Sequence, residues 1–183
     1  MLAGKRAADL AIRSRQTYFV TPRPWQKTCF GLGPITPVGM AQGVKAHMNI
    51  PLAPQDSQFL TAILAPFQAR AASAHLGGYC IAVTCAAETY LNRLKFLGCG
   101  WIAVQGDFTG RFTGHAWLET NEHEEPMILD LTACQFGLAS PLLVTRPDHR
   151  YTPRERGICS YIEGFKTWLP PVEASLIAAG YAL

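Results

Sequence analysis

Charge is scarce in this chain. Asp, Glu, Lys and Arg make up 16% of its 183 residues, against about a quarter in an average soluble domain. The formal net charge is +3, from 16 basic and 13 acidic residues. No basic run follows the length of a nucleic-acid backbone, so no nucleic-acid partner is expected. No apolar stretch approaches the roughly 20 residues that cross a bilayer, and no membrane association is expected. The N-terminal MLAGKRAADLAIRSRQ lacks an apolar core of signal-peptide length. The expected location is therefore the cytoplasm, or a site reached without a signal peptide. Internal repeats and low-complexity tracts are also missing.

The six cysteines, at 29, 80, 85, 99, 134 and 159, form no CxxC pair. A chain of this length can bury a real core and needs no disulfide staples, so reduced thiols in a reducing compartment are expected. Zinc is not expected either. Cys80 and Cys85 lie five residues apart on a predicted helix and diverge by about 140°. No second pair of ligands has finger-like spacing. Neither a metal nor a cofactor is implied.

What is present is apolar: 49% of the residues, enough for a packed α+β domain spanning 1–183. A first helix ends near Gln16, and residues 17–54 are rich in Pro and Gly. Together, 1–54 read as an irregular N-terminal arm with one short strand, TYFV. Residues 55–183 read as the core. Asp56 or Ser57 caps a helix through QFLTAILAPFQARAASAH, kinked near Pro66 and broken by Gly77 and Gly78. A second helix runs from Cys80 to about Leu97 and closes on Gly98, with Val83, Ala87, Leu91 (or Tyr90) and Leu94 as its stripe. The period then changes to that of strands in WIAVQGDF, GHAWLE and MILDLT. A further strand is expected near ICSYI, and a helix, VEASLIAAG, between Pro171 and Gly180.

Two polar residues interrupt the strand pattern. In GHAWLE, His115, Trp117 and Glu119 share one face, and in MILDLT, Ile128, Asp130 and Thr132 share one face. Folding the runs into a hairpin with His115 directly opposite Asp130 brings a carboxylate to an imidazole N–H. That carboxylate would fix the tautomer and stabilise the charged ring of a general base. A structural His–Asp hydrogen bond explains the pair alone equally well. GGYC tips the balance, because it sets Cys80 in the first turn of a helix. Unpaired N–H groups and positive dipole there favour a thiolate and an oxyanion. Cys85 is turned away from that end and reads as a small hydrophobe. His47, His75, His123 and His149 fall in loops or helix ends and read as surface residues.

A Gly-preceded Cys opening a helix, His in HAW on a strand and Asp in ILDLT on the next resembles the transglutaminase-like branch of the papain-like cysteine fold. The likeness covers roughly residues 75–137. It implies a Cys80–His115–Asp130 triad with the nucleophile helix packed on an antiparallel sheet. It also implies an amide or peptide carbonyl as substrate, within a peptide or protein, and a thioester acyl-enzyme. Resolution by water would make the protein an amidohydrolase, peptidase or glutamine deamidase. Resolution by an amine would make it a transglutaminase or N-acyltransferase. Small domains of this kind occur as bacterial effector and toxin modules. The GGYC turn is similar to that of arylamine N-acetyltransferases, but the chain is shorter, and CIAVTC lacks the acidic and asparagine residues that follow their cysteine. Trp117, Gln135 and Tyr79 are the residues expected along the cleft, although Trp117 equally suits a core position. A non-catalytic binding module on the same fold is the competing reading. Gln68, upstream of the cysteine but separated from it by a helix, receives no role.

Overall fold

The computed structural model describes residues 49–71, 76–110, 112–121 and 125–183. The expected helix ending near Gln16, the TYFV strand, nearly all of the arm, Cys29, His47, His75 and His123 lie outside those residues. Within the unit Lys45–Leu183, the described chain is α+β. Three α-helices, α1 (Pro54–Arg70), α2 (Cys80–Arg93) and α3 (Leu169–Ala178), accompany an antiparallel five-stranded sheet in the order β4-β3-β2-β1-β5. The strands are β1 (Gly100–Phe108), β2 (Phe112–Asn121), β3 (Met127–Asp130), β4 (Leu142–Thr145) and β5 (Tyr151–Arg156).

The helices differ from expectation mainly at their ends. α1 starts at Pro54, whose missing N–H costs nothing in a first turn, and not at a cap on Asp56 or Ser57. It stops at Arg70 because Ala71 is extended, with φ −69° and ψ 131°. α2 stops at Arg93, four residues before Leu97. Asn92 there exchanges two hydrogen bonds with the Trp101 backbone, at 2.7 and 2.8 Å, which draws the start of β1 against the helix end. Lys95 and Leu97 then take positive φ, and a 3-10 turn covers Phe96–Gly98. α3 begins at Leu169, so Pro170 and Pro171 lie inside its first turn.

The three expected strands form, each displaced by up to a few residues. The expected strand near ICSYI is instead a 3-10 turn at Ile158–Ser160. β4 and β5 were not expected, since LLVT is short and YTPRER carries a proline and no apolar alternation.

β4 and β5 explain the shape of the sheet. They occupy opposite edges yet are joined by residues 146–150 alone. Four interstrand steps of about 4.8 Å span roughly 19 Å. Six residue steps reach about 20 Å only when fully extended, and this link is not, because the Tyr151 N–H turns back to donate to the Asp148 carbonyl at 3.1 Å. The sheet therefore curls and brings its edges together. Val144 of β4 and Tyr151 of β5 accordingly share one buried cluster with Val104, Phe108, Trp117 and Ile128 on the concave side. On the other side, Ala103, Ala116, Leu118, Leu129 and Leu131 pack into the main core with Val83, Ala87 and Leu91 of α2 and with α1 and α3. Glu119, buried on the central strand, accepts from Trp117 Nε1 at 3.0 Å and from Arg146 at 2.8 Å, and it also pairs with Arg156. One carboxylate thus ties the two edges across the concavity.

The sheet is irregular at Gly106. Both neighbours of β1 slip register beside it, β2 at Gly114 and β5 at Arg154. A side chain at Gly106 would collide with the Thr152 carbonyl and stand 2.7 Å from Trp117 Cη2. Only glycine allows β5 to cross so closely.

Candidate active site

Cys80 is the first residue of α2, with Tyr79 as its cap residue. The first backbone bond across the helix start is Val83 N–H to Tyr79 O, at 2.9 Å. The Cys80 N–H thus precedes the helical ladder. The Cys80 thiol is half-buried, 3.9 Å from the Gly114 carbonyl oxygen, and lies near enough to the His115 ring to help raise its pKa.

Gly114 is the bulged residue of β2, with φ +78°. A bulge bends the strand and re-aims the side chain beside it. Here it lets His115, whose strand neighbour Trp117 belongs to the concave cluster, meet a thiol that approaches from the helix side.

Asp130 does not lie directly opposite His115. The observed register pairs Leu118 with Leu129 and Glu119 with Ile128. Carried one residue further, it sets Trp117 across from Asp130 and leaves His115 on the diagonal. The shift from the expected pairing is two residues, so each side chain keeps its face. A diagonal pair is still within reach for a long polar side chain, and His115 Nε2 meets Asp130 Oδ2 at 2.8 Å.

Both residues are buried, His115 at 4% and Asp130 at 0% exposure. Asp130 is fully engaged. Its Oδ2 also accepts from the Tyr151 hydroxyl at 3.0 Å, and Oδ1 accepts from the Thr132 backbone N–H at 2.9 Å and the Thr132 hydroxyl at 3.3 Å. Burial works to lower the His115 pKa. The hydrogen bond and charge of Asp130, with Cys80 beside the ring, overcome it and raise the value from 6.5 to about 9. At neutral pH the ring is therefore the charged, proton-donating form. With Nε2 committed to Asp130, Nδ1 is the nitrogen left for the thiol. Burial and then the charge of Asp130 push the Tyr151 phenol above its ordinary range, which keeps it a donor.

Aromatic rings wall the imidazole. Phe136 meets it edge-on at 4.7 Å and Phe108 at 5.8 Å, while Trp117 stacks at 6.0 Å. Of the residues expected along the cleft, Trp117 is fully buried, and its indole N–H is spent on Glu119, so it packs behind the imidazole and cannot line an open cleft. Tyr79 adjoins Cys80, but its ring packs edge-on against Trp168 at 5.5 Å and Phe67 at 6.3 Å. Gln135 sits in the 3-10 turn Ala133–Phe136 beside Phe136, and its buried Nε2 has no hydrogen-bond partner. Cys85 is buried in the main core.

Sequence reading missed the roles of Thr132 and Tyr151. Thr132 carried a signal, since Asp followed two residues later by a backbone donor is the pattern of an Asx turn. Tyr151 carried none. It lies 21 residues from Asp130 and on the far edge of the sheet, and only the curl brings them together.

Among the described residues no group of His, Cys, Asp and Glu is arranged to hold a metal ion, and no helix is long and apolar enough to cross a membrane. No protein-family model, curated protein or solved structure matches the chain.

Proposed function

We propose that the protein is a thiol enzyme of the papain-like, transglutaminase-like kind, acting on an amide or peptide carbonyl. The observation that carries the proposal is the placement of the Cys80 thiol beside the His115 imidazole, which is bonded in turn to Asp130, with both carboxylate oxygens of Asp130 engaged. An imidazolium is the partner that stabilises a thiolate, and an imidazole held by a buried carboxylate keeps one orientation. In this reading the Cys80 sulfur adds to the carbonyl carbon. The carbonyl π pair moves to oxygen, and collapse expels the amine, which takes its proton from His115. The product is a thioester on Cys80. Water then gives hydrolysis or deamidation, and an amine gives acyl transfer.

The test is acylation by p-nitrophenyl acetate, followed by intact mass spectrometry and peptide mapping. One acetyl group on Cys80, lost in Cys80→Ala, is the expected result. A parent protein whose Cys80 is alkylated by iodoacetamide but never acylated would leave a binding module as the better reading.

A further inference from the structure

Gln105 is out of place in the same way as His115. It lies on β1 on the side of the sheet that faces α2, where its alternate neighbours Trp101 and Ala103 are buried in the main core. Its side-chain amide nitrogen stands 3.4 Å from the Gly114 carbonyl oxygen, the same oxygen that the Cys80 sulfur approaches at 3.9 Å. The bulge at Gly114 turns that carbonyl toward both groups. Amide and nucleophile therefore flank one oxygen, at the end of α2 where Cys80 begins.

We infer that Gln105 is a catalytic residue of this site, donating a hydrogen bond to the oxyanion that forms when Cys80 adds to a carbonyl; the inference rests on the function proposed above. A primary amide has two N–H donors. One is occupied on Gly114, and the second remains for the substrate oxygen. When sulfur bonds to the carbonyl carbon, the π pair moves to that oxygen and leaves a full negative charge beside the sulfur. A charged acceptor takes a shorter and stronger hydrogen bond than a neutral carbonyl. Gln105 therefore contributes more to the transition state than to the bound substrate. No proton leaves the amide. When the carbonyl re-forms, the leaving group departs and the hydrogen bond relaxes. The long 3.4 Å bond to Gly114 costs little to exchange if the amide swings further.

The experiment compares two reactions of the same thiol in the parent, Gln105→Ala and Gln105→Met, the second keeping the side-chain length without charge or donor. Acetylation of Cys80 by p-nitrophenyl acetate passes through an oxyanion. Alkylation of Cys80 by iodoacetamide is a displacement at carbon and passes through none. Both variants are expected to lose about 10²-fold in acetylation rate, the scale of one oxyanion donor, and to keep the parental alkylation rate. Equal losses in both reactions would make Gln105 a structural support of the thiol and overturn the inference. Parental acetylation in both variants would overturn it as well. A parent that is alkylated but not acetylated would overturn the proposed function and this inference together, and so separates the two failures.

Discussion

Replacing Asp130 by Asn removes one charge from the site and almost no volume, and the surrounding bonds dictate the result. The Thr132 backbone N–H, 2.9 Å from Oδ1, can only donate. The oxygen of the new amide must therefore occupy that position, because an NH2 there would leave a buried donor unpaired at about 1–3 kcal/mol. The NH2 then takes the place of Oδ2 and faces both His115 Nε2 and the Tyr151 hydroxyl. The hydroxyl can rotate to accept. Nε2 can accept only in a neutral ring whose proton sits on Nδ1, and that proton points at Cys80. The ring can then neither carry its charge toward residue 130 nor receive a proton from the thiol.

With the charge and hydrogen bond of Asp130 gone, burial opposed only by Cys80 is expected to bring the His115 pKa down from about 9 toward 6.5. A shift of that size corresponds to about 3 kcal/mol at roughly 1.36 kcal/mol per unit. The folded value lies above the unfolded one, so the stabilisation is complete below pH 6.5 and is lost as pH climbs through about 9. The variant should therefore be less stable than the parent at about pH 6, with the gap largely closed near about pH 10. Acylation of Cys80 is expected to fall at least ~10²-fold. Nitrogen-15 NMR of His115 across pH reads both tautomer and pKa, and urea unfolding at the two pH values reads the gap. A His115 that titrates near its ordinary value in the parent would refute the reasoning, as would a stability gap that widens with pH.

His115→Ala should slow acylation at least as much as Asp130→Asn, and the double variant little more than His115→Ala alone, because groups acting as one unit are not additive; rate losses that add in full would mean that the two act separately. Gly106→Ala should destabilise by about 3 kcal/mol, the upper range for forced overpacking, because the new methyl meets the Thr152 carbonyl and Trp117. A urea midpoint equal to that of the parent would show that the sheet is not pinched there. Tyr151 should remain a phenol above about pH 10, where free tyrosine ionises, so the ultraviolet titrations of the parent and Tyr151→Phe should coincide through that range. Tyr151→Phe should also cost about 1 kcal/mol for the lost bond to Asp130; tyrosinate absorbance in the difference spectrum near that pH would refute the burial argument.

Local pattern was enough to determine what depends on neighbours in the chain. The period of three to four residues after GGYC placed α2 and set Cys80 at its start. Strict alternation put His115, Trp117 and Glu119 on one face of β2 and Asp130 and Ile128 on the matching face of β3, and a register shift of two residues left those faces unchanged. Side-chain direction along a strand has a period of two, so it survives errors in pairing. Helix ends did not, because the stop at Arg93 depends on Asn92 reaching the Trp101 backbone. The link across the site was also illegible. Tyr151 meets Asp130, and Arg146 and Arg156 meet Glu119, only because a sheet whose edges are joined by residues 146–150 must curl. That closure is a property of strand order and link length acting together, and no window of sequence contains both. Cys80, His115 and Asp130 could be named from their elements, whereas the register and the second acceptor bond of Asp130 were decided by the tertiary structure.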